Sequence, residues 1–255
     1  MTTVVPTEPS SMRVAPRGNP QSLRVAAVLL LVGEIVYAVV TPLLHPGGGP
    51  DAIAEFAMYA DSRSWLVVHS LQFASAIAIA FGLLALVHGL DVRSGIRGLT
   101  NRCAAASATA GLGLSGVLYA VDGVALKEAV DTWIGKPPAS QPAYLAVVEG
   151  VRGIEWGLRS YVAYTFGLTL VLLAIVIVAT ARVPRPVGYL MALTGLIYIA
   201  VGVGYGSSVT ALDDHSLVGN VNYYLVALIV LWSIWLFASA ARMGEPDLPA
   251  DERRT

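Results

Sequence analysis

The chain is expected to be all-α, a bundle of six transmembrane helices with amphipathic segments on one side. Three observations lead there. Of its 255 residues 56% are hydrophobic and only 13% charged, with a mean hydropathy of +0.67, far from the composition of a soluble domain. Six apolar runs recur, at residues 25–44, 65–90, 104–121, 161–181, 187–208 and 217–241, each near the roughly 20 residues that cross a hydrocarbon core of about 30 Å. The basic residues also divide unevenly between the two sides that these runs define.

The first run follows a polar, proline-rich stretch with Arg13, Arg17 and Arg24. It lacks a small-residue cleavage site and is expected to be a retained helix. His45, Pro46, three glycines and Pro50 then end it, and Ile53, Phe56, Ala57 and Tyr59 mark an amphipathic surface helix before the second run. The third run leads into residues 122–160, the longest connection, which reads as two helical pieces hinged at Lys136, Pro137 and Pro138. The remaining runs are joined by short links. One domain, residues 22–243, accounts for all six, flanked by disordered cytoplasmic tails at 1–21 and 244–255.

Eleven of the 16 basic residues, among them Arg93, Arg97, Arg102, Arg182, Arg185 and Arg242, fall on the side of the termini, against five on the other. The positive-inside rule then puts both termini in the cytoplasm. With 14 arginines against two lysines the chain has a GC-rich composition, which suggests a bacterial inner membrane. No basic patch calls for nucleic acid. The single cysteine, Cys103, cannot form an intrachain disulfide.

Helical spacing gathers polar residues into stripes that deepen toward the outer side. Glu34, Tyr37, Thr41 and His45 follow one another on the first helix; Trp65, His69 and Gln72 open the second; Ser115, Tyr119 and Asp122 close the third. Glu149, Arg152, Glu155 and Arg159 enter the fourth, Tyr205 ends the fifth, and Asn220, Asn222 and Tyr223 open the sixth. Turned inward, these faces would line an outward vestibule with Glu34 at its floor.

Glu34 is the sharpest residue. An ionised acid at bilayer depth costs about 2.5–3.5 kcal/mol or more, so it is expected neutral or paired. A carboxyl held neutral serves a general acid; the alternative is an interhelical hydrogen bond worth about 0.6–2 kcal/mol. The alternating charges of 149–159 are either a solvated ladder or a row that orients Asp122 or Lys127 across the pocket mouth. The candidate catalytic residues are Glu34, Asp122 and Glu155. The candidate substrate contacts are Tyr37, Trp65, His69, Gln72, Tyr119, Lys127, Arg152, Trp156 and Tyr223.

His45, His69 and His215 lie on the outer side with Asp122, Asp213 and Asp214, a set that superficially resembles the three-histidine zinc centre of alkaline ceramidase and adiponectin-receptor-type hydrolases. No paired-histidine H-x-x-x-H motif occurs, and no metal or cofactor is assigned. Residues 113–120, Gly-Leu-Ser-Gly-Val-Leu-Tyr-Ala, match the sequence around a rhomboid nucleophile, but Ser115 lies inside a helix running the wrong way, and small residues at this spacing serve close packing.

Glu34, Ile35, Val36 and Tyr37 followed by Pro42 resemble the E-[IF]-V-Y segment of membrane-bound meroterpenoid and indole-terpenoid cyclases. That resemblance implies an all-helical enzyme whose intramembrane carboxylate protonates an alkene or epoxide. Here Gly33 replaces the preceding Trp, and the second carboxylate would have to be Asp122 or Glu155. A broader resemblance, to six-helix membrane proteins of GC-rich bacteria without known activity, rests on Trp65, Val68, His69, Gln72 and Phe73; on Asp122, Gly123, Ala125, Leu126, Lys127, Val130, Asp131 and Trp133; and on Arg152, Glu155 and Trp156. The expected function is therefore a pocket that binds, and by acid catalysis processes, a lipid- or isoprenoid-like small molecule. Its partners are the lipid bilayer and that hydrophobic or amphipathic molecule. The alternatives are a non-catalytic sensor, export accessory or assembly subunit, and a small transporter.

Overall fold

The computed structural model describes residues 18–46, 51–207 and 215–243. Within them the chain is all-α: α1 (Pro20–Leu44), α2 (Ala52–Asp61), α3 (Trp65–Leu90), α4 (Gly95–Ala120), a π-helical turn (Val121–Leu126), α5 (Lys127–Ile134), α6 (Gln141–Thr180), α7 (Arg185–Ser207) and α8 (His215–Met243). Six of the helical stretches are long and apolar enough to cross a membrane. The expected tails, apart from residues 18–21, lie outside the described residues, as does the glycine turn after Pro46.

The first helix starts earlier than its apolar run. Asn19 accepts hydrogen bonds from the backbone N–H groups of Gln21 and Ser22, with Pro20 as the first helical residue, so a proper N-cap sets the start. At the same end of the bundle, α3 and α6 finish with Asp91 (φ 47°) and Ala181 (φ 51°) in the left-handed conformation. Arg182 donates to the carbonyls of Leu90 and Asp91, and Arg24 donates to that of Ala241 at 3.0 Å. The arginines that crowd this end thus also satisfy helix C-termini, whose last carbonyls have no intrahelical donor.

The largest departure from the sequence expectation is at 122–160. It is not a long connection. Residues Gly95–Ile134 form one continuous helical stretch and Gln141–Thr180 another, 40 residues each, and only 135–140 are non-helical between them. At about 1.5 Å per residue each stretch is about 60 Å long, twice a hydrocarbon core, so both project well beyond it. The Pro137–Pro138 hinge is where expected, but nothing separates residues 143–159 from the membrane span that follows, because no proline or capping glycine interrupts them.

Two apolar cores result. The larger, between the spans, includes Leu23, Leu30, Leu83, Leu86, Leu173, Ile177, Met191 and Trp232. The smaller lies in the projecting cap, where Phe56 and Tyr59 of α2 pack with Trp65, Leu126, Val130, Trp133 and Val148. In lipid, helices gain little from burying apolar surface against one another, so close approach through small residues carries the packing. The tightest instance is α6 against α7: a Cβ on Gly167 would stand 2.7 Å from the Gly195 carbonyl oxygen, and one on Gly195 would stand 2.7 Å from that of Gly167.

Gly195→Val should therefore push α6 and α7 apart and cost about 1–3 kcal/mol. Thermal unfolding of the detergent-solubilised protein should register it as a clear drop in Tm. Gly150→Ala, at a position with open space in the cap, should leave Tm unchanged.

Candidate functional site: a mid-bundle cavity beneath a buried ion network

Two features meet at Arg159. The first is a cavity of about 170 Å³ inside the bundle. Its lower walls are Leu30, Ile79, Leu83, Phe166, Leu170 and Ile229; toward the cap they become Glu34, Tyr37, Gln72, Ser115, Tyr119, Tyr198, Tyr205 and Arg159, with Trp232 alongside. Glu34 is 3% exposed, and its carboxyl makes no hydrogen bond with any described residue. It lies 10 residues from the Leu44 end of α1, about 15 Å deep at the helical rise. The indole N–H of Trp232 is also buried without a partner among the described residues.

Above Glu34 the α1 stripe continues as its spacing requires. Gln72 donates to the Thr41 hydroxyl at 3.0 Å, and the His45 ring lies 5.3 Å from those of Trp65 and His69. Ser115 donates to the Gly111 carbonyl of its own helix at 2.9 Å, which occupies its hydroxyl hydrogen.

The second feature is a chain of buried ion pairs through the base of the cap. Arg159 donates from Nη2 to Asp122 Oδ2 at 2.8 Å and from Nε to Glu155. Arg152 donates from Nη1 to the other oxygen of Glu155 at 2.9 Å and from Nη2 to Glu55 at 3.2 Å. Tyr59 donates its hydroxyl to Glu55 and accepts from Arg152 at 3.3 Å. Burial pushes the Tyr59 phenol up from its ordinary range. Asp122 and Glu155 are both fully buried. Of the two readings of the 149–159 row, the structure shows the one in which Arg159 holds Asp122.

Local backbone makes this possible. Asp122 lies in the π-helical turn, a wider turn of the kind found at functional sites. The next residue is Gly123, where a Cβ would stand 2.7 Å from His69 Cβ, so only glycine lets the turn close on α3. Trp65 donates its indole N–H to the Gly123 carbonyl at 3.0 Å, pinning the two elements. His69 Nε2 then lies 3.2 Å from Asp122 Oδ2, and His69 Nδ1 lies 2.7 Å from the Trp65 carbonyl oxygen. His45 is largely buried beside them, and burial pushes its imidazole down to about 4.

The remaining sequence candidates are distributed as follows. Lys127 does not reach the cavity; it bonds the Ala60 carbonyl at 2.8 Å and Asp131 at 2.6 Å, tying α5 to the end of α2. Trp156 stacks on the Arg152 guanidinium, 5.4 Å to its centroid, and on Tyr205. Trp65, His69 and Arg152 belong to the network above the cavity rather than to its walls. The Tyr223 side chain lies outside the described residues, as do Asp213, Asp214 and the side chain of His215. Asp122 and Glu155 are each paired with arginine, which makes them anchors for cations and leaves Glu34 as the unpaired acid.

Glu55, Tyr59 and Tyr198 are not among the sequence candidates for the pocket or its roof, and Arg159 is read from sequence as part of the charged row without being named a substrate contact. Arg159 stood one turn beyond Glu155 on the same face, a signal that was there to use. Glu55 and Tyr198 are brought in by packing between elements far apart in sequence.

Comparisons with protein-family models, with curated proteins and with solved structures return no match. The chemistry must be argued from the site itself.

Arg159→Met strands Asp122 and leaves Glu155 with Arg152 alone, and breaking a buried pair costs about 3–5 kcal/mol. It should lower Tm by far more than Lys136→Ala on the connecting turn, with both measured in the same detergent.

Proposed function

We propose that this membrane protein binds a small apolar or amphipathic molecule in the cavity and that Glu34 protonates it. One observation carries the reading. A buried carboxyl with no hydrogen-bond partner among the described residues lies on a cavity wall, and an unpaired polar group at bilayer depth is expensive unless a ligand or a reaction uses it. The competing structural role, a hydrogen bond to a neighbouring helix, is not made to any described residue.

The surroundings suit acid chemistry on an electron-rich carbon. Tyr37, Tyr119, Tyr198 and Trp232 supply aromatic faces, which attract cations and would stabilise a positive charge developing on carbon after proton transfer. The lower wall is apolar and excludes water. Its volume, close to the roughly 150 Å³ of an engineered cavity that accepts benzene, fits a ring or a short isoprenoid unit, with any longer chain lying between helices. Gln72 and Arg159 at the upper wall, and the Trp232 indole below them, can orient an oxygen on the substrate. The ion network above holds Arg159 in place and closes the site toward the cap.

We further place the cap on the extracytoplasmic side of a bacterial inner membrane and both termini in the cytoplasm, from the arginine bias. The resemblance of residues 34–37 and Pro42 to the terpenoid cyclase segment supports the same chemistry. In the simplest version the step begins when the Glu34 O–H donates its proton to an alkene or epoxide of an isoprenoid, and ends when the substrate cation returns a proton to the carboxylate.

The test compares lipid and small-molecule extracts of a host that expresses wild type or Glu34→Gln and is supplied with prenylated precursors. A product made by wild type should fall at least about 100-fold in the variant, the lower range lost with a general acid. Identical mass-spectrometric profiles from equally abundant, equally folded proteins would refute the acid role. A ligand that copurifies with both proteins would leave a binding protein in its place.

A further inference from the structure

The ion network has an unbalanced end. Glu55, Glu155 and Asp122 contribute three carboxylates, while Arg152 and Arg159 contribute two guanidinium groups. The surplus falls at Asp122, whose Oδ1 is buried without a partner among the described residues while Oδ2 accepts from Arg159. Facing Oδ2 is His69, 2% exposed, whose Nε2 also has no hydrogen bond among the described residues. The other ring nitrogen of His69 lies 2.7 Å from a carbonyl oxygen, which can only accept, so Nδ1 carries the hydrogen. In the neutral ring Nε2 therefore presents a lone pair to a carboxylate oxygen 3.2 Å away. Two acceptors at that separation repel unless something positive lies between them.

The His45 ring completes the arrangement. One ligand atom from each of His45, His69 and Asp122 lies within 4.8 Å of the others. We propose that these three residues bind one divalent first-row transition-metal ion. Two imidazoles and one carboxylate are a donor set that such ions take readily, with positions left open for an exogenous ligand. Ligand atoms held at about 2.0–2.2 Å around one ion stand roughly 3.3 Å apart at tetrahedral angles, close to the His69–Asp122 separation.

The outer contacts also fit. A metal-bound histidine usually donates its second N–H to a carbonyl or carboxylate, as His69 does to Trp65, and a ligating carboxylate is itself hydrogen-bonded, as Asp122 is by Arg159. Gly123 and the Trp65–Gly123 bond fix the position of Asp122 against His69. The ion would supply the missing positive charge and tie the end of α1 to α3 and the π-helical turn. The assignment does not depend on the acid role of Glu34.

The experiment uses the tag-free full chain in detergent, stripped with chelator and titrated with Co²⁺, followed by its visible d–d bands and by metal analysis. One Co²⁺ per chain, displaced by Zn²⁺, is expected. His45→Ala should weaken binding by more than about 100-fold, beyond the roughly 10–100-fold that loss of an outer-shell partner alone costs. His88→Ala, in the last turn of α3 at the arginine-rich end, should bind as wild type. Asp122→Asn also cuts the Arg159 pair, so His45 carries the test, with His45→Gln as the volume-keeping variant if alanine does not fold. Stoichiometry well below one, or equal binding by wild type and His45 variants, would overturn the site. So would nitrogen NMR of the metal-treated protein showing both His69 nitrogens protonated, since an imidazolium–aspartate pair would then balance the charge.

Discussion

The pairing of Arg159 with Asp122 and Glu155 at once is the constraint from which the rest of this site follows. A guanidinium offers five N–H donors in a rigid fork, and here one side of the fork grips the π-helical turn while its Nε holds a residue one turn earlier on α6. That fixes how α4 and α6 meet at the base of the cap. It also fixes the upper wall of the cavity, because the same side chain lines it. Burying these charges is costly, and the cost is offset only through the ion pairs they make with one another. The network therefore serves specificity of arrangement more than stability as such.

Asn101, Trp232, Ser233 and Ser239 each keep a buried polar atom unmatched among the described residues, but two other unmatched places are where chemistry is argued. At Glu34 the structure leaves an acid on the cavity wall with no hydrogen bond to a described residue. At Asp122 and His69 it sets the unbonded His69 Nε2 3.2 Å from Asp122 Oδ2, the oxygen that Arg159 holds, while Oδ1 has no partner among the described residues. Several other buried or half-buried hydroxyls are handled in the ordinary way for membrane helices. Thr169, Thr180 and Thr194 donate back to their own helices, and Ser160 donates to the Gly202 carbonyl across α7 at 2.7 Å.

Fold class was legible because a bilayer imposes its length on every spanning helix and tolerates so few charges that the runs are read directly. The stripe Glu34, Tyr37, Thr41, His45 was equally legible, since only the 3.6-residue period is needed to align it. Residues 122–160 were misread as a connection because their polarity marks exit from the membrane, not the end of a helix. Composition reports the solvent, and only Pro137 and Pro138 report the backbone. Lys127 was misplaced for a related reason: its face depends on the π-helical turn just before it, which shifts the phase and leaves no mark in hydropathy. Glu55 reaching Arg152 across 97 positions of sequence is a tertiary fact that no local period contains.

The unbroken length of α6 has a mechanical meaning. Arg152 and Glu155 of the cap, Arg159 at the junction, and Ala163, Phe166 and Leu170 along the cavity all ride on one rod with no interior proline. The cap is then no hinged cover that opens and closes by itself. Cap, ion network and cavity wall should melt and exchange their amide hydrogens as a single cooperative unit, so that loosening Trp133 or Val148 far outside the bilayer is felt beside Glu34.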